Sequence, residues 1–119
     1  IARRDTLTKE TFHLSEMPIA EKIGALLEEI QNSIYQRAFD FRAEKTIEVN
    51  TWDEFVQILE EKGGFVSAHW DGTTETEEKV KELTKATIRC IPLDRANEAG
   101  VCMFSGKPSE GRVLFAKAY

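Results

Sequence analysis

The residues of this chain best suited to metal binding or nucleophilic catalysis are two cysteines and two histidines. Cys90 and Cys102 are too far apart for a Cys-x-x-Cys pair and too few for a disulfide framework, so free thiols in a reducing compartment are expected. His13 and His69 are far apart in sequence, and His69 lies in a predicted strand. We interpret His69 as a packed or hydrogen-bonded histidine, so these four side chains predict neither a metal site nor a catalytic base.

Serines and glycines give no catalytic pattern either. Ser67 and Ser105 lie in no nucleophile-elbow motif. Gly100, Gly106 and Gly111 do not precede a predicted helix, so a phosphate-binding loop is unsupported. Taken by themselves, the residues therefore indicate a binding or accessory module without a catalytic site of its own.

The elements that must position these side chains begin with a long helix. From Pro18 onward the apolar residues recur at spacings of three and four, which predicts an amphipathic helix whose apolar stripe needs a partner surface. The stripe comprises Ile19, Ile23, Leu26, Leu27, Ile30, Ile34 and Ala38. Residues 1–17 are polar and are interpreted as a strand end and a connector.

Beyond this helix, strands and helices alternate. Strands are predicted over residues 46–49, 65–70, 86–91 and 112–117, and helices from 52 to the glycine pair at 63–64 and over 74–84. Thr51 with Glu54 forms a capping box, and Thr74 with Glu77 suggests a second one. Residues 93–110 are expected to form an irregular loop. The β-α-β-α-β-β order predicts an α+β two-layer sandwich, in which a four-stranded mixed sheet carries its two helices on one face.

Size and charge limit the function further. The chain has 119 residues, enough for one domain with a substantial core, and a formal net charge of −5. An acidic chain is a poor autonomous nucleic-acid binder, because phosphate contacts need clustered Lys and Arg. No stretch approaches the ~20 apolar residues of a membrane helix, so we expect no membrane partner and a cytoplasmic location. Because the chain begins without Met, we interpret it as part of a longer protein.

Several strings of the sequence resemble the C-terminal end of prolyl-tRNA synthetase of the archaeal and eukaryotic-like type. Residues 2–6 are similar to the close of that family's anticodon-binding domain, residues 87–92 to the third strand of its extra C-terminal domain, and residues 106–108 with 113–119 to its terminal motif. The resemblance covers the whole chain. It implies that residues 1–17 are the end of the anticodon-binding domain with a connector, and that residues 18–119 are the C-terminal α/β domain.

The resemblance also implies an activity for the parent protein. That protein would be a class II proline–tRNA ligase, a homodimer that uses ATP and Mg to activate L-proline and transfers it to tRNA(Pro). Its catalytic and dimer-forming domain would lie outside this chain, which would be a non-catalytic accessory region. The family's final tyrosine reaches toward the active site, so Tyr119 is implied to be active-site-proximal; the alternative is that Tyr119 only caps the edge of the sheet. Arg3 and Arg4 are interpreted as candidate contacts to the tRNA backbone or, alternatively, as solvated surface residues.

Members of the family often hold a zinc ion with four cysteines. They are arranged as a Cys-x4-Cys pair after the second strand and a Cys-x-x-Cys pair in the loop before the last strand. In this sequence the first pair falls near Trp70 and Thr76, and the second falls at Cys102 and Ser105, so only Cys102 keeps a thiol. Because one thiolate cannot complete a tetrahedral shell, the sequence predicts that zinc is absent and that Trp70 and apolar loop residues fill the space.

Two other functions stay open from the sequence. One is a free-standing RNA-binding module of similar fold, although the acidic charge counts against it. The other is a protein-binding module that uses the long helix from Pro18. The residues encoded upstream of Ile1 would distinguish these alternatives, because class II catalytic motifs would support the ligase and a start codon would exclude it.

Overall fold

The computed structural model describes residues 1–13, 15 and 18–118. They fall into two compact units, Ile1–Ala43 and Glu44–Tyr119. The sequence-based division into residues 1–17 and 18–119 stays a prediction, because Leu14, Glu16 and Met17 at that boundary lie outside the described residues. None of the helices in the described part of the chain combines the length and apolar character needed to cross a bilayer.

The first unit consists of a short turn and most of a long helix. Ala2 and Lys9 form an isolated antiparallel bridge. Helix α1 (Ile19–Glu44) follows, with its first backbone hydrogen bonds accepted by the carbonyl of Pro18. All residues of α1 are described and none is buried, so the predicted apolar stripe remains partly open to solvent. The long amphipathic helix expected from the sequence is thereby confirmed.

The second unit contains eight further elements. They are β1 (Thr46–Glu48), α2 (Trp52–Glu61), β2 (Phe65–His69), α3 (Thr74–Thr84), β3 (Ala86–Cys90), β4 (Gly100–Val101), β5 (Pro108–Ser109) and β6 (Arg112–Lys117). Four strands form one sheet in the order β1-β2-β6-β3. Strand β1 is parallel to β2, whereas β6 is antiparallel to both of its neighbours. The predicted four-stranded mixed sheet and α+β class are confirmed.

Local sequence signals explain where the helices begin and end. The capping box at α2 is present: the side chain of Thr51 accepts from the Glu54 amide, and the Glu54 carboxylate accepts from the Thr51 amide. Gly63 and Gly64 then take positive φ angles of 64° and 86°, which the missing Cβ makes easy. At α3 the capping residue is Thr73, not Thr74, so that part of the prediction was wrong by one position.

The core lies between the sheet and the two helices of this unit. Alternate residues of β2 and β6 face it, with Val66 paired to Phe115 and Ala68 paired to Val113, and all four are fully buried. Phe55 of α2 meets Phe115 edge-on, with ring centroids 5.2 Å apart. Val80 of α3 belongs to the same cluster, so both helices cover one face of the sheet. Each such buried side chain contributes roughly 1.5–3 kcal/mol.

The segment expected to be an irregular loop is partly ordered as a hairpin. Strands β4 and β5 pair antiparallel, with Gly100 opposite Ser109 and Val101 opposite Pro108. The hairpin is joined to the end of β2 because the Met103 amide donates to the His69 carbonyl. Strands of two residues carry no alternating pattern, which explains why the sequence did not predict them.

Candidate functional site

A single carboxylate organises the turn that follows β2. Oδ1 of Asp71 accepts hydrogen bonds from the Thr73 amide at 3.1 Å and from the Thr73 hydroxyl at 2.8 Å. Its Oδ2 accepts from the hydroxyl of Thr76 at 2.8 Å and from that of Ser105 at 2.6 Å. Four donors therefore converge on one acidic side chain at the carboxyl end of a central strand.

These donors come from different elements. Thr73 is the capping residue of α3, Thr76 lies in its first turn, and Ser105 lies at the tip of the β4–β5 hairpin. The amide of Ser105 in turn approaches the thiol sulfur of buried Cys102 at 3.5 Å. We name this group the Asp71 cluster; it consists of Asp71, Thr73, Thr76, Cys102 and Ser105.

The hydrogen bonds change the acidity of the carboxyl group at the centre of the cluster. Burial by itself raises the pKa of Asp71, but the hydrogen bonds from Ser105, Thr76 and Thr73 together outweigh it and lower the pKa to about 2. Asp71 is therefore a stable anion at neutral pH. It acts here as a hydrogen-bond acceptor and is too weak a base to take up a proton in catalysis.

The Asp71 cluster has the spacing of the zinc ligands that the family resemblance implies. Asp71 and Thr76 match the Cys-x4-Cys pair, and Cys102 and Ser105 match the Cys-x-x-Cys pair. The residues present do not fit zinc, because two of the four are neutral hydroxyls that donate to Asp71. Within the described ranges, no group of three or more His, Cys, Asp or Glu side chains could hold a metal ion.

The sequence analysis matched Trp70 to the first zinc-ligand position and expected apolar residues to fill the space. The side chain that reaches Thr76 is that of Asp71, whereas the indole of Trp70 donates to the Thr73 carbonyl at 3.1 Å. Met103 joins the main core and Phe104 packs edge-on against Trp52, with ring centroids 4.8 Å apart. The space near Cys102 therefore contains a polar network as well as apolar packing.

A second polar group surrounds the histidine of β2. Nδ1 of buried His69 lies 3.1 Å from the hydroxyl of Ser109, and that hydroxyl donates to the Gly111 carbonyl at 3.0 Å. Ser109 is itself only 6% exposed, so it cannot meet a substrate as a nucleophile. His69 is thus a packed, hydrogen-bonded histidine, as the sequence suggested.

The outer side of this group is charged. Nε2 of His69 lies 3.8 Å from Glu98, whose other oxygen lies 3.5 Å from Nε of Arg112. Arg112 also donates to the carbonyl of Val49 at 2.9 Å, which connects β6 to the residue after β1. These contacts hold the segment before β4 against the sheet.

The two arginines near the start of the chain have different surroundings. Arg3 donates through two nitrogens to the carboxylate of Asp5 and through a third contact to Glu29. The hydrogen bond from Arg3 lowers the pKa of Asp5 below its usual value. Arg4 is exposed, which leaves it the more accessible of the two candidate contacts to tRNA.

Tyr119, the residue implied to be active-site-proximal, lies outside the described residues. The strand before it is well held: β6 pairs with β2 on one side and with β3 on the other, up to Lys117. The structure therefore brings together Asp71, Thr76, Cys102 and Ser105, while Arg3 and Arg4 lie in the other unit.

The fold and these two polar groups define a class of protein. It is a two-layer α+β domain with a four-stranded mixed sheet, in which the side chains around Asp71 and around His69 are hydrogen-bonded to one another. A family model described as "Prolyl-tRNA synthetase, C-terminal" matches residues 52–119. The chain belongs to this family, and the resemblance inferred from the sequence is confirmed.

Curated relatives match along the whole chain. A proline–tRNA ligase of Christiangramia forsetii is 60% identical over 119 residues, and one of Flavobacterium johnsoniae is 56% identical over the same length. Each alignment covers 100% of this chain and 24% of the relative. The chain thus spans about a quarter of the length of the curated relatives it matches.

Solved structures agree with this assignment. A crystal structure of prolyl-tRNA synthetase from Cryptosporidium parvum in complex with L-proline and AMP superposes with a TM-score of 0.88 at 30% sequence identity. The match covers 99% of this chain and 25% of that protein. A second structure of the same enzyme, in complex with halofuginone and AMPPNP, matches equally well.

Proposed function

We propose that the chain is the C-terminal region of a proline–tRNA ligase, which activates L-proline with ATP and transfers it to tRNA(Pro). The observation that carries the proposal is the 60% identity to a proline–tRNA ligase along all 119 residues. The complexes of the related Cryptosporidium parvum enzyme with proline, AMP and AMPPNP support the choice of amino acid and nucleotide. Mg would accompany ATP in the parent enzyme, as in other class II ligases.

Within that enzyme, the region described here acts as a non-catalytic accessory domain. Its engaged polar groups and its packed core suit a rigid support. The catalytic residues and the homodimer interface belong to the parent's class II domain. The location is cytoplasmic, where tRNA is charged.

The role proposed for the domain is to order the C-terminus toward the active site. Strand β6 is the central element for this, because Val113 and Phe115 are fully buried and both edges of the strand are paired. A terminal carboxylate that follows such a strand is an anion on a rigid support. Tyr119 would bring that anion near the substrates.

Of the two arginines near the start of the chain, we assign the contact to tRNA to Arg4. The guanidinium of Arg3 is already engaged by Asp5 and Glu29, so it has little capacity left for a phosphate. Arg4 is exposed and has the charge that a backbone phosphate attracts. Arg4 is therefore the candidate for a contact to the tRNA backbone. Arg3 instead stabilises the local turn.

The activity is tested with the complete protein and purified tRNA. We expect proline-dependent exchange of pyrophosphate into ATP and charging of tRNA(Pro) by the full-length protein, and neither reaction by the 119-residue chain alone. Alanine and cysteine serve as control amino acids. Full-length protein that folds but activates no proline would contradict the proposal.

The role of the C-terminus is tested by three changes to the last residue. Deleting Tyr119 moves the carboxylate back by one residue, Tyr119→Ala removes the ring but keeps the carboxylate, and Tyr119→Phe is the matched control. We expect the deletion to lower kcat for proline activation by at least tenfold, with Tyr119→Phe unchanged. Equal kcat for all three variants and the parent would show that the C-terminus has no part in the reaction.

A further inference from the structure

The Asp71 cluster connects segments that are distant in sequence. Asp71 and Ser105 are separated by 34 positions, yet the Ser105 hydroxyl donates to the carboxylate at 2.6 Å. The same carboxylate accepts from Thr73 and Thr76 at the start of α3. The end of β2, the first turn of α3 and the tip of the β4–β5 hairpin are thus joined through one side chain.

We propose that the Asp71 carboxylate is a metal-independent cross-link, which joins these three segments where the matching spacing in zinc-binding relatives would place four thiolates around a metal ion. The proposal concerns folding of this chain and does not depend on the proposed ligase activity. The residues present do not fit a zinc site, and the proposal assigns the cross-linking role to the carboxylate of Asp71 instead.

The chemistry of a carboxylate suits this role. An ionised carboxylate has about four lone-pair positions, and here four N–H and O–H donors use them. A zinc ion likewise gathers four ligands, but as an acceptor of electron pairs from anionic sulfur. Asp71 thus connects Thr73, Thr76 and Ser105 as an anion that accepts hydrogen bonds, which is the opposite polarity to a zinc cation held by anionic ligands.

The surrounding contacts support the same assignment. The hydroxyl of Ser105 also accepts a hydrogen bond from the Lys107 amide at 3.3 Å. The backbone of the hairpin is therefore connected to Asp71 through this hydroxyl. The Cys102 thiol accepts from the Ser105 amide and is buried at 2% exposure. Every hydroxyl that would have to turn toward a cation is already oriented by Asp71.

The first test changes the acceptor. Asp71→Asn keeps the shape but replaces one oxygen by an NH2 group, which cannot accept from the pair of donors that it faces, whether these come from Thr73 or from Thr76 and Ser105. Asp94→Asn is the matched control, because it removes the same charge from an exposed residue outside the cluster. We expect Asp71→Asn to lower the thermal midpoint by roughly 5 °C or more, and Asp94→Asn to leave it unchanged.

Hydrogen exchange shows whether the loss is local to the cluster. The amides of Thr73, Ser105 and Lys107 all donate within it. In Asp71→Asn we expect them to exchange about tenfold faster or more, with the amides of β6 changed far less. Equal exchange in Asp71→Asn and Asp94→Asn would overturn the proposal.

Milder variants keep the test informative if Asp71→Asn does not fold. Ser105→Ala and Thr76→Val each remove one donor and leave the carboxylate in place. A double-mutant cycle of these two should show coupling, because the two hydroxyls share one oxygen of Asp71. Strict additivity, with no faster exchange at Lys107 in Ser105→Ala, would contradict a shared cross-link.

Metal dependence is tested directly. We expect protein purified without chelator to contain well under one zinc per chain, and its thermal midpoint to be the same with and without EDTA. About one zinc per chain, together with a midpoint that falls on chelation, would overturn the proposal.

A gain of metal binding tests the geometry. The variant Asp71→Cys, Thr76→Cys, Ser105→Cys has four thiols together with native Cys102. If the four positions converge as the hydrogen bonds indicate, this variant should bind one Co²⁺ with the intense visible absorption of tetrahedral thiolate ligation, while the parent chain should not. A triple variant with no Co²⁺ absorption would show that the positions do not form a metal-sized site.

Discussion

The helix-covered face of the sheet and the carboxyl end of β2 are stabilised in different ways. The first is an apolar core in which Phe55, Val66 and Phe115 are completely buried. The second is a network of hydrogen bonds around Asp71 and His69, with Asp71 itself partly open to solvent. Burial stabilises the first region without regard to direction, whereas the second depends on the placement of individual donors and acceptors.

This difference explains how each region should respond to substitution. A core position tolerates other apolar residues of similar volume but not their loss. A buried polar position tolerates almost no replacement. If one partner of a hydrogen bond is removed, the other remains buried without a partner, and the cost of removing it from water is no longer offset. The variants below test this contrast, beginning with the largest expected effect.

The strongest effect is expected at the centre of the core. Phe115→Ala removes the ring that packs edge-on against Phe55, on the strand β6 that lies between β2 and β3. We expect the free energy of unfolding to fall by about 3–5 kcal/mol, as measured by urea denaturation. Leu83→Ala is the control: its side chain is 64% exposed, and we expect a change below about 1 kcal/mol. Similar losses for both variants would contradict the position assigned to the core.

A large effect is also expected at a glycine beside the polar region. A Cβ on Gly100 would lie 2.3 Å from Cε1 and 2.4 Å from Nε2 of His69. Gly100→Ala should therefore displace the buried ring and destabilise the unit by about 1–3 kcal/mol. Gly24→Ala is the control, because no atom beyond its chain neighbours and the nearby backbone of α1 lies within 4 Å of its Cβ position, and α1 should gain helix propensity.

The clash has a specific partner, which a second substitution can identify. In the background His69→Ala, the further change Gly100→Ala should cost less than it does in the parent, since the ring has been removed. The measurement is a double-mutant cycle in urea. An equal cost in both backgrounds would show that another neighbour causes the loss.

The apolar region was largely predictable from the sequence. The capping box at Thr51, the glycines after α2 and the alternating residues of β2 and β6 are local patterns, and each element they predicted is present. Such patterns depend on neighbours a few residues apart, which a sequence displays directly.

The polar region was not predictable in the same way. Asp71 directly follows the predicted strand 65–70, and nothing local to it indicates a hydrogen bond to Ser105 that spans 34 positions. The imidazole ring of His69 lies against the backbone of Gly100, and no periodic pattern in the sequence connects these two positions. The one available signal was spacing, because Asp71 and Thr76 reproduce the Cys-x4-Cys interval better than Trp70 does. Contacts of this kind depend on the completed fold.

A medium effect is expected from acid. The ordinary pKa of an aspartate is 3.8, and in the folded chain that of Asp71 is about 2. A depressed folded pKa means that Asp71 stabilises the fold fully above pH 4, and that this contribution is lost as the pH falls through about 2. Because the side chain is partly open to solvent, we expect it to amount to about 1–2 kcal/mol.

Comparison with a variant isolates this contribution from that of other acids. Asp5, Glu10 and Glu54 also have lowered pKa values, so stability of the parent chain falls with acid for several reasons. The difference in unfolding free energy between the parent and Asp71→Asn should shrink as the pH is lowered from 5 to 2. If the difference in unfolding free energy stayed constant over this pH range, the pKa of Asp71 would be the same in the folded and unfolded states.

The smallest effect is expected at the start of α2, where the polar contacts are local. Thr51→Ala removes the acceptor of the Glu54 amide and should cost about 1 kcal/mol. Thr74→Ala is the matched control, because Thr74 is exposed and the capping residue of α3 is Thr73. Alanine is the better helix former, so this control should be neutral or slightly stabilising. If Thr74→Ala instead cost as much as Thr51→Ala, the assignment of Thr73 as the capping residue of α3 would be contradicted.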